Sequence, residues 1–408
     1  MQIHDNPMRR QVMSLPDLIE TQYEDLEPKT RTVLSFQEIF NVQRIVLTGC
    51  GDSFAACMAE KYAFEALAGI PAEAVPALEL ARYYDEKQLG VDCRNPLVIA
   101  VSNSGNVSRV AEAAARARKH GAYVLGVTGH PESALGQNSD KVLHLAIPSF
   151  ESAPGTRSYL VSVMALLLLA IRFGEVRMRY TMDEAMCMRD DIRQQGEKLR
   201  ALLPGMDEVC AETAEKWAAF PCFEFVGGGA DYAGAWFGHA KILEAAGRFA
   251  TAVNVEDWFH LNYFLRDTEH TGTVLLAGSM NPAKSRIREF LQYAGDLGRP
   301  LIVITDGETT ESTVTAAETE DGAALKPLCA AEGGTDHRPL CVPEGTAVIR
   351  VPSAKYPMTL PLTHFVPLCL FAGELSELLG ESYGRGSEGL FAGSAGGRGV
   401  NVSAVEIL

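Results

Sequence analysis

Four apolar runs stand out in the first half of the chain: RIVLTG (44–49), PLVIAVS (96–102), AYVLGVTG (122–129) and KVLHLAI (141–147). Between them lie stretches with helical spacing, such as SFAACMAEKYAFEALAG (53–69) and SRVAEAAARARKHG (108–121). A strand wetted on one face alternates apolar and polar residues, whereas one covered on both faces is continuously apolar. The runs therefore predict parallel strands packed between helices, a doubly wound α/β layer. A second set follows: FEFVGG (223–228), GTVLLAG (272–278), PLIVIT (300–305) and AVIRVP (347–352). Its helices are expected over YAGAWFGHAKILEAAG (232–247) and AKSRIREFLQYAGDLG (283–298).

The two sets can be laid over one another. VLTGCGDSFA…EALAG matches FVGGGADYA…EAAG, and Gly49, Gly51 and Gly69 fall on Gly227, Gly229 and Gly247 at an offset of 178 each time. Both copies continue into an A-x-A-V strand, AEAVPALEL (72–80) and ATAVNVEDW (250–258). Such self-similarity predicts an α/β fold of two tandem, flavodoxin-like domains related by internal duplication, at 44–175 and 205–380. Residues 1–43 are expected to be a helical lead-in and 381–408 a tail that opens Gly/Ser-rich. The polar, acidic, aperiodic stretch from about 306 to 343 is expected to be a surface excursion of the second domain.

Composition changes the picture by exclusion. With 47% hydrophobic and 22% charged residues the chain can bury a large core. A net charge of −16, with no basic stripe, removes nucleic acid as a partner. Nine scattered cysteines with no C-x-x-C give neither a disulfide framework nor a zinc site, so no metal is expected and a reducing, cytoplasmic compartment is. The start, MQIHDNPMRRQ, has no signal-peptide core, and YLVSVMALLLLAI (159–171) is too short to span a bilayer. It reads as a buried helix, and no membrane partner is expected.

Candidate chemistry concentrates at two turns of the first domain, TGCGDS (48–53) and SNSGNVS (102–108). Each leaves a strand and opens a helix. Free N–H groups and the positive dipole end then point into one crevice, with glycines for close approach and hydroxyls as further donors. One such serine would be an ordinary helix cap; two neighbouring turns of the same chemistry make a cup for a phosphate. TGCGDSF starts as G-x-G but has Phe54 where a dinucleotide fingerprint needs its third glycine, and no G-x-x-x-x-G-K-[ST] loop occurs. No cofactor is therefore expected.

TGCGDS, SNSG, and GTRSYL leading into a long apolar helix, together with the duplication, resemble the sugar isomerase (SIS) domain family. The arrangement is similar to the isomerase half of glucosamine-6-phosphate synthase, the fructosamine-6-phosphate deglycases and the phosphosugar isomerases, over roughly 20–408. The resemblance implies that Gly51, Asp52 and Ser53 form the first phosphate loop and Ser102, Asn103 and Ser104 the second. The family's Thr in the second loop is Val107 here, with Ser108 the nearest hydroxyl. Thr156 and Arg157 match a Thr-Lys pair. LAGSMNPAK (276–284) stands where the serine turn should recur, so one phosphate site per chain is expected.

Lys241 and Glu244 are three apart on a helix, which alone reads as a solvated ion pair, and His260 beside Trp258 and Phe259 reads as a packed histidine. The resemblance implies otherwise: Glu244 moves a proton between C1 and C2 of an open-chain sugar, His260 assists ring opening, and Lys241 biases Glu244 or contacts substrate. Asp257, and Glu79 in the first repeat, stand where the family has a Glu. Two departures bear on activity. The tail GVNVSAVEIL lacks the Lys of the synthase tail, and the chain lacks the synthase's glutaminase domain. Deglycation of a ketosamine 6-phosphate, or aldose–ketose isomerisation, is the expected activity, with a non-catalytic phosphosugar-binding regulator as the alternative. The family also implies a homodimer in which the His can come from the neighbouring chain.

Overall fold

A computed structural model of the chain describes residues 2–90, 96–311, 338–383 and 399–408. Five parallel strands form the first sheet: β1 (Arg44–Gly49), β2 (Ala72–Pro76), β3 (Pro96–Val101), β4 (Tyr123–Thr128) and β5 (Lys141–His144), in the order β2-β1-β3-β4-β5. The second sheet holds β6 (Cys222–Gly227), β7 (Phe249–Asn254), β8 (Thr271–Leu276), β9 (Leu301–Thr305) and, after a small parallel pair β10 (Thr309–Glu311) and β11 (Leu340–Val342), β12 (Ala347–Arg350). Its order is β7-β6-β8-β9-β12, the same topology as the first. The two doubly wound sheets expected from the apolar runs are present. Every β3 and β8 residue is buried, as continuous apolar runs require. Most of the expected 306–343 excursion falls outside the described residues.

The duplication reaches local detail. Gly51 (φ +56, ψ −132) and Gly229 (φ +64, ψ −129) adopt the same left-sided conformation at the start of equivalent helices, Asp52–Ala63 and Ala230–Lys241. Both helices end in one π turn, Phe64–Ala68 and Ile242–Ala246, stopped by left-handed Gly69 and Gly247. A π turn inserts one residue into a helix and occurs often at functional sites.

One hydrophobic core runs through both repeats. The equivalent helices pack against each other across the divide, with Phe54 edge-on to Trp236 and Tyr159 stacked on Phe237 at 4.1 Å. The stretch 159–171 lies in a helix longer than the sequence reading allowed, Arg157–Val176, because Arg157 and Ser158 extend its start and residues 172–176 its end. Two segments, Arg157–Val176 and Pro357–Leu379, are long and apolar enough to cross a membrane, yet 89% and 94% of them are buried in the protein core. Helix Met182–Trp217 carries the chain from one repeat to the other, and three helices (Pro7–Met13, Leu15–Thr32, Phe36–Asn41) occupy the lead-in.

Candidate functional site

In a 2-1-3-4-5 sheet the chain reverses direction between β1 and β3, and a crevice opens at their carboxyl ends. Thr48 pairs with Ala100, so the turns after these strands leave the same edge side by side. Gly51 of the first turn and Val107 of the second line one cavity of about 710 Å³, together with Arg82, Arg109 and Ser403. Asn103 and Thr156 line a neighbouring cavity of about 340 Å³. Gly51 and Val107 thus bring one end of each turn to the same cavity, whereas Ser53, Ser102, Ser104 and Ser108 do not line it.

Within the second turn, Gly105 N–H donates to Ser102 Oγ (3.2 Å) and Asn106 N–H to Ser104 Oγ (3.4 Å). A hydroxyl that accepts from the backbone keeps its own proton to donate, so both remain usable toward an anion. Asn103 and Ser104 are exposed, Ser53 is half-buried, and Ser102 and Ser108 are buried, the last at the first position of helix Ser108–Lys119. Thr156 is fully buried and donates to Pro154 O (3.1 Å). Arg157 lines the smaller cavity with Asn103 and Thr156, but its guanidinium is engaged elsewhere: it donates to Ser14 Oγ (2.6 Å) and Pro148 O (3.3 Å) and stacks on Phe150, pinning the lead-in helices.

Lys241 is not part of a solvated pair. It is completely buried, with Nζ donating to Glu244 Oε2 (2.5 Å) and Asp52 Oδ2 (2.9 Å) and lying 4.7 Å from the centre of the Phe237 ring. The end of the second-repeat helix therefore meets the start of the first-repeat helix, which brings Glu244 beside the first serine turn. Burial works against the ammonium, but Asp52 and Glu244 together hold its proton more tightly than usual. Burial, with a contribution from Glu244, pushes the Asp52 carboxyl up to about 6 against the pull of Lys241. Asp52 was expected in the phosphate loop; its carboxylate instead faces Lys241, and a carboxylate there would repel a phosphate.

His260 is not brought to this group. It is neither a packed histidine nor a neighbour of Glu244: it is 68% exposed and its ring nitrogen meets Glu256 at 3.3 Å. The reason is topological. Glu244 precedes β7 and His260 follows it, and six strand residues at about 3.3 Å each hold the two ends roughly 16–20 Å apart.

The equivalent crevice of the second domain is closed by its own side chains. Asp231 accepts from Gly278 N–H (2.8 Å), Asn281 Nδ2 (2.7 Å) and the His364 ring (3.0 Å), leaving a cavity of about 10 Å³. Burial opposes its charge, yet these three partners hold Asp231 below the ordinary carboxylate range.

Arginines 82 and 109 escaped the sequence reading. They converge on buried Glu112, and each also holds the tail: Arg82 donates to Glu406 (2.8 Å) and Arg109 to Ser403 Oγ (3.3 Å) and Ala404 O. No local pattern distinguishes them, because their partners lie in two segments far apart in sequence, helix Ser108–Lys119 and the tail around 403–406. Among the described residues, no group of three or more His, Cys, Asp or Glu is placed to hold a metal.

Residues 38–172 match the SIS domain family. Glutamine–fructose-6-phosphate aminotransferase (isomerizing) of Thermus thermophilus is 27% identical over 339 residues, 83% of this chain and 50% of that protein. The chain spans about half the length of the curated relatives it matches. Among solved structures, the C-terminal domain of the Francisella tularensis glucosamine–fructose-6-phosphate aminotransferase aligns with TM-score 0.74 at 16% identity, over 93% of this chain and 98% of that one. Tagatose-6-phosphate ketose/aldose isomerase of Escherichia coli aligns with TM-score 0.64 at 17% identity, over 93% and 95%.

Proposed function

With residues 38–172 in the SIS domain family, we propose that this chain is a phosphosugar enzyme of the isomerase type, working by proton transfer between C1 and C2 of an open-chain sugar phosphate. The serine turns hold the phosphoryl group, with Ser53, Ser102, Ser104 and the helix-start N–H groups as donors. Fixing the phosphate at one end lets its binding energy position the reacting carbons at the other. Glu244 takes a proton from the carbon alpha to the carbonyl, the C–H electron pair forms an enediolate, a proton passes from the adjacent hydroxyl to the former carbonyl oxygen, and the same carboxyl returns its proton to the neighbouring carbon. On a ketosamine 6-phosphate the same transfer, with the proton taken from C1 and returned to C2, gives a C1 imine; water adds to that carbon and the amine leaves, giving a hexose phosphate. Deglycation is the finer form of this reading.

The observation that carries it is the Lys241 bridge from Asp52 to Glu244, which sets a carboxylate beside the phosphate turns. His260 stands at the far end of β7, so a second copy of the chain supplies it in a homodimer. Exposed Leu261, Phe264 and Leu265 follow His260 directly, an apolar surface suited to a subunit contact. The seven described cysteines are all free thiols, consistent with a reducing cytoplasmic setting. The separation of His260 from Glu244 also favours a second reading, a phosphosugar-binding protein without turnover.

Proton exchange separates the two. Fructose 6-phosphate incubated with the enzyme in D₂O is expected to gain deuterium at C1, read by proton NMR, alongside turnover of fructosamine 6-phosphates. Glu244→Gln should abolish both, by about 10²-fold or more. Wild-type exchange in that variant removes Glu244 from the mechanism; binding without exchange in the native protein favours the second reading.

A further inference from the structure

Asp52, Lys241 and Glu244 form a carboxylate–ammonium–carboxylate trio that joins the two repeats. The duplication supplies an internal control for what the trio is for. At the offset of 178, Asp52 corresponds to Ala230, Lys241 to Ala63 and Glu244 to Ala66. The pseudo-equivalent positions at the opposite end of the same helix pair are alanines, of which Ala63 is buried, Ala230 half-buried and Ala66 exposed. The charged trio is therefore particular to one of the two pseudo-equivalent places.

The site is also cut to fit the carboxylate. A Cβ at Gly155 would lie 2.2 Å from Asp52 Oδ2, so residue 155 has no side chain where Asp52 turns toward Lys241. Asp52 Oδ1 is buried without a partner among the described residues. A half-buried carboxylate with one oxygen buried and unpartnered among the described residues costs stability, which points to a purpose beyond packing. We infer that Asp52 is a positioning residue for Glu244, acting through Lys241 to set the orientation and base strength of the Glu244 carboxylate. This rests on the proton-transfer role given to Glu244 above.

The trio has two acids and one cation. While Asp52 is ionised, the Lys241 charge is divided between two carboxylates. When Asp52 takes a proton, the ammonium is left to Glu244 alone, and a carboxylate held by an undivided cation is a weaker base. The other groups facing Asp52 do not titrate alongside it near neutrality. The Tyr159 phenol is pushed well above its usual range and the Cys369 thiol up to about 12, both by burial. With Asp52 raised to about 6, activity rises with pH through that region and levels above it.

The test is the pH profile of kcat for deuterium exchange into fructose 6-phosphate, in wild type, Asp52→Asn, Gly155→Ala and Glu244→Gln. Asp52→Asn is permanently neutral and is expected to lower the plateau about tenfold, to remove the limb near pH 6, and to leave KM within about twofold. Gly155→Ala, which displaces Asp52 without changing any charge, should do the same. If Asp52→Asn keeps the wild-type plateau and limb while Glu244→Gln is inactive, the Asp52 inference fails and the catalytic reading stands. If Glu244→Gln is as active as wild type, the catalytic reading itself fails. A collapse of the fold in Asp52→Asn also overturns the inference, because the role would then be structural.

Discussion

A charged residue takes its meaning from what surrounds it, and Glu60 shows this as plainly as Lys241. Glu60 lies within helix Asp52–Ala63, completely buried, with neither carboxylate oxygen partnered among the described residues. Burial pushes its pKa well above the ordinary value, so the folded chain holds its proton. The sign follows from linkage: this stability is fully present below the unfolded value of about 4.5 and is lost as pH rises, because folding must take up a proton that water no longer supplies. Glu60→Gln needs no proton. Its melting temperature should fall less than that of wild type between pH 5 and pH 8, and should exceed it at pH 8; parallel melts across that range check this. Identical pH dependence in the two proteins would mean that Glu60 finds a partner in solution. Nothing in AEKYAFEAL marks Glu60 as buried, since an acid on an amphipathic helix ordinarily faces water.

At the scale of elements, the helix starts matter most. Gly51 and Gly229 share a conformation that L-residues avoid, and a Cβ at either would meet nothing within 4 Å. Replacing either by Ala is therefore a conformational cost alone, about 1–2 kcal/mol, and urea midpoints of the two variants should drop alike. Turnover should separate them: Gly51 lines the large cavity and Gly229 starts the closed crevice, so only Gly51→Ala is expected to lose activity as well. These elements were legible because apolar runs, a fixed repeat offset and paired glycines are local signals. The π turns that carry Glu244 and end each helix were not, since EALAG and EAAG fit an ordinary helix equally well. Nor was the distance from Glu244 to His260, sixteen residues in sequence but the length of a strand in space.

The whole molecule is where the site is completed. If a neighbouring subunit supplies His260, a mixture of Glu244→Gln and His260→Ala chains contains heterodimers with one intact site. Two inactive variants, unfolded and refolded together, should recover about a quarter of wild-type activity, half the dimers being mixed with one site of two working. No recovery, or a monomer in sedimentation, removes the shared site.

From its order of residues alone, the chain determines two parallel sheets, their duplication and the pair of hydroxyl-rich turns, because burial on both faces and helix starts write themselves into neighbouring positions. Tertiary structure alone decided that Lys241 is sealed between Asp52 and Glu244, that the second crevice is filled by Asp231, Asn281 and His364, and that His260 faces away. The first two depend on groups 50 to 190 positions apart meeting across a packed joint, where a charge is forced to find a partner or give up its ionisation; the last depends on the strand that runs between Glu244 and His260.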